Sequence, residues 1–200
     1  LKNEKQTFIT DIVQKHPSLL INSGVTNTKI ELVPKIPVKS VNWFFRKTLF
    51  ENESIPRGPG FTNSTDNNKY YFHNRYNLST QSTYSIANEF YNPPMTSAKI
   101  FVNGEDVPGF QDSDHKYYKY TTPLLSRLSR PLRNIYTFAF SMNPVNVEPS
   151  GSLDFSQLQS NRTVLDIKMV NGLSEDYNLH IYYVGYQTYT FENGYIKRAY

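Results

Sequence analysis

Ile135-Tyr136-Thr137-Phe138-Ala139-Phe140-Ser141-Met142 is the stretch on which the fold turns. Tyr136, Phe138, Phe140 and Met142 are large and apolar, while Thr137, Ala139 and Ser141 between them are small. A period of two puts alternate side chains on opposite faces of an extended chain, so this is a β-strand with one face towards a core. The same texture extends outward in both directions. Upstream, Val41, Trp43 and Phe45 alternate with Asn42, Phe44 and Arg46, and Ile30 and Leu32 alternate with Lys29, Glu31 and Val33. Ala98, Ile100 and Val102 form another run. Downstream come Leu165, Ile167 and Met169, then Leu179, Ile181 and Tyr183, then Tyr189 and Phe191. Pro34 and Pro37 separate the first two runs, and Asn103-Gly104 and Asn193-Gly194 are strong hairpin signals. About eight short strands without helical crossovers predict an all-β antiparallel sandwich or barrel, of which the jelly-roll is the eight-stranded form. Trp43, Phe138, Phe140, Leu165, Ile167 and Ile181 occupy the apolar phase and are the expected core.

Two stretches do not share that texture. From Glu4 to Lys15, Phe8, Ile9, Ile12 and Val13 recur at helical spacing and Pro17 closes the element, which predicts a short helical lead-in. Residues 1–24 then read as a linker and residues 25–200 as the domain. From Thr48 to Asn77 the chain is polar and Asn-rich, with Pro56-Arg57-Gly58-Pro59-Gly60 at its middle. A long surface loop over about 48–95 is the expectation. The chain opens on Leu1 and not on Met, which reads as a piece cut from a longer polypeptide.

Composition narrows the function classes. Sixteen Tyr and thirteen Phe in 200 residues suit pleated, half-buried surfaces. The absence of Cys excludes disulfides, thiolate metal sites and cysteine nucleophiles. No apolar run approaches a membrane span, and no signal peptide is visible. His16, His73, His115 and His180 are scattered, with no H-x-H or H-E-x-x-H spacing, and no G-x-S-x-G elbow or Walker loop occurs. Glu105, Asp106, Asp112 and Asp114 cluster near a turn, where loop oxygens would suit calcium but where acids are common anyway. Glu175 and Asp176 read the same way. N-x-S/T sequons occur at Asn52, Asn63, Asn77 and Asn161, which an Asn-rich chain produces by chance. No catalytic residue, metal ligand or cofactor site is therefore expected.

One charge feature stands out in a chain of net charge +4. His115 to Val147 holds no acid, yet contains Lys116, Lys119, Arg127, Arg130 and Arg133. Pro123 and Pro131 argue against a groove-binding helix, so no nucleic-acid contact is expected. Arg127, Arg130 and Arg133 read instead as a contact with a neighbouring subunit, since a guanidinium tolerates desolvation better than an ammonium.

The strand at Ile135 runs through Asn143-Pro144 to Glu148-Pro149-Ser150-Gly151-Ser152-Leu153-Asp154-Phe155-Ser156. This resembles a signature of nucleocytoplasmic large DNA virus major capsid proteins, S-F-A-L-x-P followed by Q-P-S-G-T-C-N-F-S-R. Pro149-Ser150-Gly151 and Phe155-Ser156 match in place, while Glu148, Asp154 and Gln157 depart from it and its Cys is absent. Ile36-Pro37-Val38-Lys39-Ser40-Val41-Asn42-Trp43 is similar to the family's H-P-V-K-E-L-I-W. Ser97-Ala98-Lys99-Ile100-Phe101-Val102-Asn103-Gly104 is similar to its S-A-x-L-x-x-N-G, and Tyr186 to Gly194 resembles its terminal N-Y-N-x-L-x-x-x-x-G.

The resemblance implies the second of two successive jelly-rolls, in a non-enzymatic protein that trimerises into pseudo-hexagonal capsomers and tiles an icosahedral shell. It implies a virion protein assembled in the host cytoplasm, with neighbouring capsomers and minor capsid and penton proteins as partners. Pro144, Pro149, Ser150, Gly151, Phe155 and Ser156 would form a loop of fixed shape, because Pro and Gly restrict and turn the backbone while Ser satisfies loop amides. The residues also leave open a carbohydrate- or receptor-binding jelly-roll, a jelly-roll hydrolase or metal enzyme, and a transient scaffold of the kind poxviruses make.

Overall fold

A computed structural model describes residues 5–51, 77–81, 85–107, 113–158 and 163–198. Its strands are β1 (Gln6–Lys15), β2 (Leu19–Ile21), β3 (Asn27–Glu31), β4 (Pro37–Lys47), β5 (Met95–Val102), β6 (Glu105–Val107), β7 (Ser113–Asp114), β8 (Ile135–Ala139), β9 (Leu153–Asp154), β10 (Val164–Met169), β11 (Tyr177–Glu192) and β12 (Tyr195–Arg198). They form two sheets, one in the order β1-β11-β4-β8 and the other in the order β3-β10-β5-β6. Short strands extend both: β2 and β12 pair with β11, β9 with β4, and β7 with β5. Among the described residues every pairing is antiparallel. The chain crosses from sheet to sheet as it proceeds, so residues far apart in sequence become neighbours in a jelly-roll sandwich.

The core lies between the sheets, where the alternating pattern placed it. Trp43, Leu165, Ile167 and Ile181 are 0% exposed, and Phe138 is buried beside them. Phe140 is only half-buried and Met142 is 81% exposed, so the expected strand stops short. The cause is local: after Ala139, the amides of Phe140 and Ser141 both donate to the Lys39 carbonyl, and the chain leaves the ladder. Both hairpin signals hold. Asn103 and Gly104 have φ of 56° and 87°, and Asn193 and Gly194 have 52° and 80°, the paired positive values of a two-residue turn matched to strand twist. The runs around Ile181 and Tyr189 belong to one strand, β11.

The helical reading of Glu4–Lys15 is wrong. Gln6–Lys15 is β1, paired with β11 from Gln6↔Phe191 through Lys15↔Tyr182. Thr7, Ile9, Thr10, Ile12 and Val13 are β-branched, and that stiffness at χ1 outweighs the apolar spacing. The lead-in segment is thus an edge strand of the sandwich.

The long loop is also shorter than expected where it is described. Asn77, Leu78 and Ser79 are buried, Ile86–Tyr91 form helix α1, and β5 begins at Met95. Ser85 caps α1 by accepting from the Asn88 amide at 3.0 Å. Buried Lys47 holds the 77–81 segment, donating to the Thr80 and Gln81 carbonyls at 3.0 Å each while pairing with Glu175 at 2.8 Å. The Pro56–Gly60 run, Asn52, Asn63, His73, Asp112 and Asn161 lie outside the described residues. Pro123 does not break a helix. It sits in the first turn of helix α2 (Thr122–Leu125), after a wide π-type turn at Tyr117–Thr121, where a missing amide proton costs little.

Candidate functional site

The segment from Phe140 to Leu158 follows β8 and comprises a loop, the strand β9 and the 3₁₀ turn Phe155–Gln157. Ser150 is its central tie. Its amide donates to Tyr186 Oη at 3.1 Å, its hydroxyl donates to the Asn143 carbonyl at 3.1 Å and accepts from the Asn143 amide at 3.0 Å, and its carbonyl accepts from Met142 at 3.2 Å. Gly151 follows at φ 123°, a conformation that side chains resist, and a Cβ there would stand 3.3 Å from the Phe140 carbonyl. Asp154 accepts from the amide and hydroxyl of Ser156 at 3.0 and 2.7 Å and so caps the 3₁₀ turn. Buried Phe155 meets Phe140 edge-on at 5.8 Å. Pro144 is buried and Pro149 exposed.

Lys39 clasps this loop to the sheets. Its stem is fully buried, and its ammonium donates to Asp11 Oδ1 at 2.8 Å and to the Asn146 carbonyl at 2.7 Å, with the Tyr186 ring centroid 4.8 Å away. β9 pairs with the start of β4 through Pro37↔Asp154 and Val38↔Leu153. The Pro37-Val38-Lys39 segment and the Pro149–Ser156 segment, more than a hundred residues apart, are therefore one spatial unit. In the same loop Met142, Val145 and Val147 are exposed, so the tied segment presents apolar side chains to solvent. Sequence reasoning did not single out Lys39, Asp11 or Tyr186 for this role.

The three arginines do not share one setting. Arg127 is exposed at φ 57°, just past α2. Arg130 is exposed and lies over the Tyr120 ring at 4.3 Å and the Phe90 ring at 5.5 Å. Arg133 is half-buried on the side of Glu89. Leu124, Leu125 and Leu132, all exposed, lie within three residues of one or the other of the first two in sequence. Lys119, counted with these cations on sequence, is buried and belongs to a different cluster, with Glu89 and Asn134.

His16 is packed against the Pro17 and Glu31 carbonyls, and His180 contacts Glu51 while its other ring nitrogen lies 3.3 Å from Ser18 Oγ. Among the described residues no group of three or more His, Cys, Asp or Glu could hold a metal ion, and no helix is long and apolar enough to cross a membrane. The Asn77 sequon is sealed, for its side chain is fully buried, donates to the Gln81 carbonyl at 2.8 Å and accepts from the Ser79 hydroxyl at 2.6 Å.

The sequence model of one protein family, described as large eukaryotic DNA virus major capsid protein, matches residues 1–193. No curated protein matches the sequence. Among solved structures, the chain is similar to VP54 of the virus PBCV-1, fitted into a reconstruction of the virophage Sputnik, at 18% identity and a TM-score of 0.70. That match covers 98% of this chain and 52% of VP54, so the chain spans about half the length of that protein. A quasi-atomic model of the PBCV-1 capsid matches at 17% identity and a TM-score of 0.70, over 98% of this chain and 52% of that one. The Faustovirus major capsid protein matches at 8% identity and a TM-score of 0.60, over 90% of this chain and 33% of that one. The TM-scores show a shared fold, and at these identities the likeness shows the fold alone.

Proposed function

We propose a structural role in a viral shell from one premise: this chain belongs to the large eukaryotic DNA virus major capsid protein family. The chain is one jelly-roll of a major capsid protein that carries another upstream. Three copies of the protein form a pseudo-hexagonal capsomer, and capsomers tile an icosahedral capsid with minor capsid and penton proteins at their margins. The protein is a virion component assembled in the host cytoplasm, and its work is self-assembly without catalysis.

The observation that carries this reading is the clasped loop. A repeating contact requires the same surface shape in every copy, and Lys39, Ser150 and Tyr186 hold Asn143–Gly151 by several independent bonds. The exposed edge of Met142, Val145 and Val147 has the apolar character of a contact core. The exposed residues of the 124–132 segment, Arg127 and Arg130 with Leu124, Leu125 and Leu132, have the mixed Arg and apolar make-up of a second one.

The test uses the full-length protein. Arg127→Ser combined with Arg130→Ser should leave the melting temperature nearly unchanged, because exposed charges contribute about 0–1 kcal/mol each. Size-exclusion chromatography with light scattering should then show monomer where the parent shows trimer. Arg133 is left in place because it lies beside buried Glu89. Normal trimer formation at physiological salt removes the arginine surface from the assembly interface.

A further inference from the structure

Three polar side chains meet in an enclosed space between α1, the π-type turn and the start of β8. Lys119 is 1% exposed, and Glu89 and Asn134 are 0% exposed. The Lys119 ammonium donates to Asn134 Oδ1 at 2.7 Å and to the Glu89 carbonyl at 2.7 Å. The Glu89 carboxylate accepts from the backbone amides of Leu78 at 2.6 Å and Asn134 at 2.8 Å. The Asn134 amide nitrogen donates to the Leu78 carbonyl at 3.1 Å. The Phe90 and Tyr120 rings stand 5.2 and 5.3 Å from the Lys119 nitrogen and form an apolar wall. The bonds of the cluster join residues 11 to 56 positions apart in sequence.

We propose that this cluster is a self-modification site, at which the Lys119 side-chain nitrogen and the Asn134 side-chain carbonyl carbon join in an intramolecular isopeptide bond after folding. The reactants are already held by the fold, so the step is unimolecular and needs no other protein. Burial pushes the Lys119 amine down to about 8, which makes the neutral, nucleophilic form accessible in mildly alkaline water. The lone pair of that amine attacks Asn134 Cγ, and a C–N bond forms. The Cγ–Nδ2 bond breaks, the proton from Lys119 goes to the departing nitrogen, and ammonia leaves. No oxidant, reductant or cofactor enters the balance.

Glu89 is a positioning residue here. Its carbonyl holds the amine, and its carboxylate, pushed upward by burial, fixes the Asn134 backbone. The link would tie the helical segment before α2 to β8 and restrict the unfolded chain as any cross-link does.

The test is a mass measurement on the full-length protein, independent of whether it assembles. A linked chain is about 17 Da lighter than its sequence mass, the loss of one ammonia from a lysine amine acting as nucleophile. Proteolysis should yield one branched peptide containing both Lys119 and Asn134. Lys119→Arg and Asn134→Ala should each restore the full sequence mass. Glu89→Gln, which keeps the carbonyl contact to the amine, should slow the loss without abolishing it. An unmodified parent mass after prolonged incubation at pH 8–9, with two separate peptides, overturns the proposal and leaves the cluster a hydrogen-bonded network.

Discussion

Gly185 lies on β11 where the neighbouring strand leaves no room for a side chain. A Cβ there would stand 2.2 Å from the Pro37 carbonyl and 2.9 Å from Ile36 Cδ1. The ladder between β4 and β11 shifts register at this point, between Val184 and Gly185. Gly185→Ala should therefore cost about 1–3 kcal/mol as an overpacking change, and should do so by moving backbone, since a carbonyl has no rotamer to escape into. Urea denaturation checks it: the midpoint should fall at an unchanged slope. A neutral result would mean that the start of β4 yields more easily than its pairing suggests. Gly151 is the second glycine with a demand on it, set by its positive φ and by the Phe140 carbonyl. It was readable in the sequence because it sits in a motif between two strands. Gly185 was not, because its constraint comes from a strand about 150 residues away.

At the scale of elements, β1 and the loop after β8 depart most from the sequence reading. The amphipathic spacing of Phe8, Ile9, Ile12 and Val13 fits a helix on paper, but an edge strand beside β11 satisfies the β-branched residues and ten positions of pairing. The loop depends on a charge buried in another element. Lys39→Met keeps most of the stem and removes the ammonium that links Asp11 to the Asn146 carbonyl. Hydrogen exchange should then quicken across residues 143–150 while the amides of β10 and β11 keep their protection. Global stability should fall only modestly, because Asp11 is partly exposed and water can replace its partner. Exchange that quickens everywhere equally would show that Lys39 supports the core and not the loop.

Over the whole molecule, the aromatic composition gives the sandwich a predictable response to alkali. Desolvation pushes the phenols of Tyr118, Tyr136, Tyr177 and Tyr183 above their ordinary range. In the unfolded chain these groups ionise near about pH 10. Below that pH both states hold the protons and the four tyrosines contribute their full stabilisation. As pH rises past it, the unfolded chain releases protons that the folded chain retains, so stability falls progressively. Urea midpoints measured from pH 8 to 11 should decline above about 10, and Tyr177→Phe should make the decline shallower. A flat profile would mean that these phenols are solvated in the native state. The many buried rings also explain why the core pattern was so legible: Trp43, Tyr136 and Phe138 are large enough that a one-residue register slip would expose a great deal of apolar surface.

The alternation of Val41–Phe45, Ile135–Phe138 and Leu165–Met169, with Asn-Gly turns, was enough by itself to determine an antiparallel sandwich or barrel and most of its core. Those are local properties: side-chain period and turn conformation are carried by neighbouring residues and survive translation into three dimensions. The sequence reads Pro144, Pro149, Ser150, Gly151, Phe155 and Ser156 as one loop of fixed shape, and the structure places Phe155 and Ser156 in the 3₁₀ turn after β9. Only the tertiary structure decided what holds that loop, that Gln6–Lys15 is a strand, and that Glu89, Lys119 and Asn134 share one enclosed space. In each case the deciding partner is remote in sequence. Burial turns a lysine that reads as a surface cation into a buried donor, and nothing in the residues adjacent to Lys39 or Lys119 announces the carbonyls that await them.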